Sequence, residues 1–263
     1  MRPIRHDSSI VEFQRKRGGD CAAFFVPFLT SGMILLDAGC GPGTITAALA
    51  GLVAKAVGVD IEPNAIAAAD RLAAAESLTN LSFVEADMTA LPFEDEAFDA
   101  VFFHAVLYHQ SQAVLTRALA EARRVLKPGG LIATRDADVG GNVLHPDIDG
   151  VRLALDLWQR WYEHDDPDAL RFGRRQSSIL RAHGFTPVWT GASYVNHSAD
   201  ATSRSEAVAD ARRSLLGFGP QLLRKGLATD DEIQTALAGW DAWGRDPDAV
   251  YFRCRCECVA RKD

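Results

Sequence analysis

The sequence is most informative at the stretch MILLDAGCGPGT, residues 33–44. Its first four residues are apolar, which is typical of a parallel strand that is covered on both faces. Gly39, Gly41 and Gly43 then alternate with other residues before a helical pattern resumes at Thr44. Glycine allows a sharp backbone turn and leaves room for a ligand to lie against the main chain. The stretch predicts a strand–turn–helix unit with a ligand-binding turn; a tight turn without a ligand is the alternative.

From residue 33 to about residue 135, short apolar runs alternate with helical segments, which is typical of stacked βαβ units. The sequence therefore predicts an α/β fold with a doubly wound, seven-stranded, mostly parallel sheet of the Rossmann-like kind. The predicted strands are residues 33–37, 56–60, 81–86, 98–103, 131–134, 186–196 and 250–260, with a turn at 127–130. The predicted helices are residues 20–29, 44–52, 65–76, 111–126, 151–163 and 168–183, followed by a helical segment over 203–244 in which Thr229 and Glu232 form a capping box.

The simplest domain organisation is a single domain over residues 1–263. Residues 1–30 are expected to form an N-terminal helical segment, and residues 31–140 the cofactor-binding core. Two helical inserts, residues 141–183 and 198–248, are expected to form a cap on the substrate side. No repeat or low-complexity linker divides the chain.

The charge balance argues against a nucleic-acid-binding protein. The chain has 28 Lys and Arg against 35 Asp and Glu residues, a net charge of −7, whereas phosphate binding requires a basic surface. The first residues, MRPIRHD, lack the apolar run of a secretory signal, and no apolar stretch is long enough to span a bilayer. Five cysteines without a secretory context indicate reduced thiols. We expect a cytoplasmic protein; the oligomeric state stays open.

Three of the cysteines, Cys254, Cys256 and Cys258, alternate along the last predicted strand. This spacing puts neighbouring thiols on one face at about 6.6–6.8 Å, which is too far apart for three ligands of one zinc ion. No partner Cys-x-x-Cys or His-x-x-x-His motif is present. We therefore expect buried thiols and no metal site.

The stretch Asp37–Gly43 resembles motif I of the class I S-adenosylmethionine-dependent methyltransferases, in the group that contains the ubiquinone and menaquinone methyltransferases (type 11). Three more segments resemble the family's later motifs in the right order: 57–61, 85–88 and 126–130. The resemblance covers residues 15–135 well and the rest only loosely. The glycine spacing G-x-G-x-G also differs from the G-x-G-x-x-G of pyrophosphate binders.

The resemblance implies that the chain transfers a methyl group from S-adenosyl-L-methionine to an acceptor by in-line displacement, leaving S-adenosyl-L-homocysteine. A small-molecule acceptor is preferred because of the acidic charge balance and the two inserts. The alternatives are a macromolecular methyltransferase acting on RNA or protein, and a relative that binds the cofactor without methylating, such as a cyclase or a binding module. A nicotinamide oxidoreductase is disfavoured by the glycine spacing.

The resemblance also assigns cofactor contacts. Asp60 would accept hydrogen bonds from the ribose hydroxyls, and Asp87 from the adenine amino group, while Ile61 and Met88 would enclose the adenine ring. Arg17 would meet the cofactor's carboxylate. The open alternatives are an acid at a helix N-terminus for Asp60, a surface turn for Asp87, core packing for Ile61 and Met88, and a solvated charge for Arg17. The remaining predicted contacts are Asp37, Gly39, Cys40, Gly41, Gly43, Thr44 and His104.

Two histidines follow the fourth predicted strand. His109 has the side chain of a general base near neutral pH, although it could simply hydrogen-bond the helix that follows. His104 is the second candidate for a catalytic role, and Tyr108 is expected to be a wall of the pocket. A base is needed for a phenol, an alcohol or a carbon acid and matters less for an amine or a thiolate. The need for one is therefore left open.

Overall fold

The computed structural model describes residues 18–163 and 169–263. They fall into two compact units. The first unit comprises residues 18–136, Gly173–Gly191 and Cys256–Asp263, and the second comprises the described part of Ala137–Phe172 together with Ala192–Arg255. Residues 173–183, which the sequence places in an insert, lie in the first unit. The single-domain organisation and the cap stay predictions.

The described residues form eight strands. Their order in the sheet is β3-β2-β1-β4-β5-β8-β6, with β7 beside β8. The pairs β1/β2, β1/β4, β2/β3 and β4/β5 are parallel, whereas the short β6 is antiparallel to β8. The strand order reverses between β1 and β4, which in open α/β sheets is where ligands bind. The strands are β1 (Ile34–Ala38), β2 (Lys55–Asp60), β3 (Leu81–Glu85), β4 (Phe98–His104), β5 (Leu126–Ala137), β6 (Val143–His145), β7 (Phe185–Asn196) and β8 (Val250–Lys262).

Seven α-helices lie in the described ranges, and capping side chains determine where several of them begin. Ser111 accepts a hydrogen bond from the amide of Val114 before α3. Thr229 and Glu232 form the predicted capping box before α7. None of these helices is long and apolar enough to cross a lipid bilayer. The helices are α1 (Thr44–Ala50), α2 (Pro63–Ala75), α3 (Gln112–Val125), α4 (Asp149–Glu163), α5 (Phe172–Ala182), α6 (Ala201–Arg224) and α7 (Asp230–Arg245).

The core of the first unit explains why its central strands are so apolar. Leu35 and Leu36 on β1, Phe102 on β4 and Ile132 on β5 are all completely buried. A strand between two neighbours, with helices on both faces, has no side that contacts water. Burial of each such side chain contributes about 1.5–3 kcal/mol to the free energy of unfolding. This packing fixes the strand ends from which the functional side chains project.

The second unit is built around an aromatic cluster. The indole rings of Trp240 and Trp243 on α7 lie 5.5 Å apart in an edge-to-face arrangement, and both contact the ring of Tyr251 on β8. The indole nitrogen of Trp243 donates to the carbonyl of His145 at 2.9 Å, so this fully buried ring keeps its hydrogen bond. α4 and α6 complete the core of this unit through residues such as Leu157 and Leu222.

The predicted α/β fold with a mostly parallel sheet is confirmed. The helix predicted over residues 20–29 is wrong: two short 3-10 helices, Gly19–Ala22 and Val26–Phe28, stand in its place, because Pro27 lacks the amide that a continuous helix requires. The turn predicted at 127–130 is also wrong. Those residues belong to β5, which continues through them as an irregular strand. Gly129 has a positive φ of +74°, and the register between β4 and β5 shifts between Phe98 and Ala100.

Candidate functional site

The glycine-rich turn after β1 is tied by its backbone to β2. The amides of Gly39 and Cys40 both donate to the carbonyl of Val59, at 2.8 and 2.9 Å. Gly39, Gly41 and Gly43 have φ values of +82°, +55° and +79°, in the left-handed region where a residue with a Cβ is strained. Glycine therefore adopts the conformation of this turn with less strain than any other residue would.

Protein side chains occupy the space beside two of these glycines. A Cβ on Gly43 would lie 2.4 Å from Cζ of Phe83, and one on Gly39 would lie 2.5 Å from Cγ2 of Val106. Val106 belongs to the segment after β4, so this contact joins the glycine turn to the end of that strand. The sequence predicts that a ligand lies against the backbone of this turn, and the structure shows that side chains of the protein itself also lie against it.

Asp60, the last residue of β2, holds the glycine turn with its carboxylate. Its Oδ2 accepts from the amide of Gly41 at 2.9 Å and its Oδ1 from the amide of Glu62 at 3.0 Å. Asp60 is only 8% exposed. Because each carboxylate oxygen can accept two hydrogen bonds, two acceptor positions remain after these two. Such a carboxylate matches a ribose, which presents two adjacent hydroxyls.

The residues predicted to surround an adenine ring lie near Asp60. Ile61 is 54% exposed, so the alternative that Ile61 is a core-packing residue is wrong. β2 and β3 pair in parallel with Asp60 opposite Glu85, which places Asp87 two residues beyond that pair and Met88 directly after it. Asp87 is exposed, and its Oδ1 accepts from both the amide and the hydroxyl of Thr89 at 2.8 Å. Met88 is half-buried.

Two buried ionisable side chains, Asp37 on β1 and Cys40 in the turn, have raised pKa values. Asp37 is 2% exposed, and burial raises its pKa from 3.8 to about 7. The hydroxyl of Thr46 donates to Oδ2 of Asp37 at 2.6 Å and opposes this shift, whereas the charge of Asp60 adds to it. Burial, and then the charges of Asp37 and Asp60, hold the pKa of the Cys40 thiol well above its usual range. A thiol that stays protonated is a poor nucleophile, and the contact of Cys40 with the cofactor stays a prediction.

At the end of β4, His104 belongs to a buried polar group that the sequence did not reveal. Its Nε2 lies 3.1 Å from Nη1 of Arg135 on β5, and Nε of Arg135 donates to Oε1 of Glu257 at 3.0 Å. Asp37 pairs with Phe102, so His104, two residues further on, is level with Gly39 beside the turn. The signal in the sequence is the run Arg135–Asp138, three charges ending an apolar strand.

His109 follows on a short 3-10 helix, Leu107–His109. The segment begins at Ala105, whose φ of +55° is unusual for a residue with a Cβ. His109 is half-buried, and the centre of its ring is 3.6 Å from that of Tyr108. The role of His109 as a base, like that of Tyr108 as a pocket wall, stays a prediction.

The structure gathers most of the predicted residues at one edge of the sheet, where the parallel strands β1, β2, β3 and β4 end. Thr44 is half-buried at the start of α1. Arg17 lies outside the described residues. The residues at this edge are Asp37, Gly39, Cys40, Gly41, Gly43, Thr44, Asp60, Ile61, Asp87, Met88, His104 and His109.

Comparison with known proteins identifies the family of the chain. A family profile described as a methyltransferase domain matches residues 35–130. The chain is 31% identical over 277 residues to the probable methyltransferase ltbC of Aspergillus luteorubrus, an alignment that covers 98% of this chain and 95% of that protein. It is 34% identical over 130 residues to demethylmenaquinone methyltransferase of Clavibacter sepedonicus, and this alignment covers 49% of each protein.

A solved structure shares the fold. Haemonchus contortus phosphoethanolamine N-methyltransferase 2, in complex with S-adenosyl-L-methionine, aligns with a TM-score of 0.59 at 18% identity. The alignment covers 99% of this chain and 58% of that one. The motif resemblance seen in the sequence is thus confirmed at the level of the family and of the fold.

Proposed function

The chain belongs to the class I S-adenosylmethionine-dependent methyltransferases, and we propose that its methyl acceptor is a small molecule. One observation carries this choice of acceptor. The second unit, with its helices α4, α6 and α7, contains 17 Asp and Glu against 11 Lys and Arg residues, a net charge of −6. Binding of RNA depends on cations that neutralise phosphates, and this unit has the opposite charge.

The side chains at the carboxyl edge of the sheet fit the cofactor. Asp60 has two acceptor positions beyond its bonds to Gly41 and Glu62, as a ribose diol requires. Ile61, an exposed apolar side chain next to that carboxylate, suits one face of the adenine ring. We assign the ribose to Asp60, the adenine ring to Ile61 and Met88, and its amino group to Asp87. The glycine turn and Asp37 would line the methionine part.

The methyl group that is transferred comes from the sulfonium of S-adenosyl-L-methionine. The protein's main task is orientation: the acceptor atom must be held in line with the methyl carbon and away from water. Val106 fixes the segment after β4 against Gly39 and so supports this alignment. We assign proton removal, where the acceptor needs it, to His109, because Nε2 of His104 already accepts a hydrogen bond from Arg135.

We further propose that the protein works in the cytoplasm. None of the five cysteines, all of which lie in the described residues, forms a disulfide, and reduced thiols persist in a reducing compartment. An extracellular protein of this size would more commonly pair them.

The acceptor class is tested with methyl-tritiated S-adenosyl-L-methionine and a cell extract divided into a low-molecular-weight filtrate and a macromolecular fraction. We expect the label to enter the filtrate with the wild type and not with Asp60→Ala. Label confined to the macromolecular fraction, and lost on RNase or protease treatment, would overturn the small-molecule acceptor. Cofactor binding is measured separately by titration calorimetry, with NAD as the negative control. Binding without any transfer would favour the non-methylating alternative.

A further inference from the structure

Three polar side chains form a buried row across three neighbouring strands. His104 lies on β4, Arg135 on β5 and Glu257 on β8, and β4, β5 and β8 are adjacent in the sheet. Their exposed fractions are 7%, 4% and 7%. His104 and Arg135 are direct partners in the β4/β5 register, which places their side chains on one face. Asp136, the next residue on β5, projects to the opposite face because side chains alternate along a strand.

The row determines which nitrogen of His104 carries the proton. A guanidinium has only donors and stays protonated in proteins. The 3.1 Å contact between Nη1 of Arg135 and Nε2 of His104 is therefore an N–H of Arg135 donating to an unprotonated Nε2. A neutral imidazole whose Nε2 accepts must carry its hydrogen on Nδ1. In water, neutral histidine prefers the other tautomer, so this arrangement is imposed by the protein.

Glu257 completes the row by balancing charge. Its Oε1 accepts from Nε of Arg135 at 3.0 Å, in an ion pair whose side chains are 4% and 6% exposed. The positive charge of Arg135 is thus compensated. Replacing a buried ion pair by apolar side chains is often neutral or stabilising, so stability alone is a weak reason for this pair. The contact of Arg135 with His104, which is level with Gly39 of the glycine turn, offers a better one.

Resting on the cofactor site proposed above, we propose that Arg135 and Glu257 are a positioning pair that holds His104 as a neutral, Nδ1-protonated imidazole beside the bound sulfonium. His104 is level with Gly39 at the edge of the sheet where the cofactor's methionine part is placed. An imidazolium, or an Arg135 without its counter-charge, would repel a sulfonium at this edge. His104 is then an uncharged part of the wall and not the base.

The tautomer is tested first, in the cofactor-free protein. Long-range proton–nitrogen correlation spectra of the nitrogen-15-labelled chain distinguish the two neutral tautomers from the imidazolium, and His104→Asn identifies the His104 signals by their loss. At about pH 7 we expect one neutral form with the proton on Nδ1. An imidazolium or an Nε2-protonated ring at His104 would overturn the proposal. This result does not depend on methyl transfer or on any variant of the ion pair.

Charge selectivity is tested next, with Glu257→Gln and with the double variant Arg135→Met/Glu257→Gln. We expect Glu257→Gln to weaken binding of S-adenosyl-L-methionine about tenfold more than binding of S-adenosyl-L-homocysteine, because only the former has a positively charged sulfur. The double variant removes both charges and should return the affinity ratio to that of the wild type. A purely structural pair would weaken both ligands equally, and that result would refute the electrostatic role.

Arg160→Met is a control for the loss of an ion pair in the second unit, where Arg160 pairs with Glu232 at 3.0 Å with side chains 34% and 30% exposed. It should leave the affinity ratio unchanged. Failure of the proposed function gives a different result. A wild type that binds neither ligand refutes the proposed cofactor site, even if the His104 spectrum shows the expected tautomer.

Discussion

Replacement of Asp60 by alanine should cost the protein most of its affinity for S-adenosyl-L-methionine. After its bonds to the amides of Gly41 and Glu62, the carboxylate has two acceptor positions left for a diol. Each hydrogen bond to a charged acceptor contributes about 1.5–3 kcal/mol net. Loss of both, partly offset by water, gives about 3 kcal/mol, or a Kd raised about a hundredfold.

The same substitution also releases two backbone amides of the turn, so a weaker Kd alone does not identify the ribose contact. Calorimetry with S-adenosyl-L-homocysteine and its 2′,3′-dideoxy analogue separates the two effects. In the wild type the analogue should bind about a hundredfold more weakly, and in Asp60→Ala the two ligands should bind alike. If the analogue loses as much affinity in the variant as the natural ligand does, or if Asp60→Ala changes the Kd less than about threefold, the assignment of Asp60 to the ribose is refuted.

Three further expectations use the same protein. Gly43→Ala should lower the free energy of unfolding, measured in urea, by about 2–5 kcal/mol, because it combines a positive φ with overpacking against Phe83. Gly226→Ala, at φ +67° and with open space around the added Cβ, should lower it by only about 1–2 kcal/mol. Equal losses in the two variants would contradict the close packing described at Gly43. Ile61→Ala should weaken S-adenosyl-L-methionine binding about tenfold at unchanged stability, and Leu216→Ala, at a similarly exposed side chain, should change neither. The pKa of Asp37 is raised from 3.8 to about 7 by folding, so the unfolded chain holds fewer protons in that interval. The free energy of unfolding of the cofactor-free protein should therefore fall as the pH rises from about 4 to 7 and then level, and Asp37→Asn should abolish that fall in urea titrations at a series of pH values.

The sequence predicts most of the strands and helices because they are defined by local patterns, and the helix over residues 20–29 and the turn at 127–130 are the exceptions. The apolar run at Ile34–Leu36 requires a strand covered on both faces, and the glycines after it can only form a turn. The capping box at Thr229 and Glu232 marks a helix start by chemistry within four residues. Candidate residues at strand ends follow from the same logic, since parallel strands end at one edge.

What the sequence does not predict depends on contacts between distant residues. Arg135 and Glu257 are 122 positions apart, and only pairing of β5 with β8 brings them together. The exposure of Ile61 and the burial of Asp37 likewise depend on which neighbours cover them. The contact between Gly39 and Val106 is of this kind, since it depends on the approach of two loops.

The aromatic cluster of the second unit has a practical consequence for spectroscopy. Of the five tryptophans, only Trp189 lies in the first unit. Tryptophan fluorescence, excited at the red edge of the absorption band, therefore reports mainly on the second unit. Far-ultraviolet circular dichroism reports on the helices and strands of both units. Comparing the two signals during denaturation shows whether the units melt cooperatively, because a two-state chain gives coincident curves. The remaining tryptophans are Trp158, Trp161, Trp240 and Trp243.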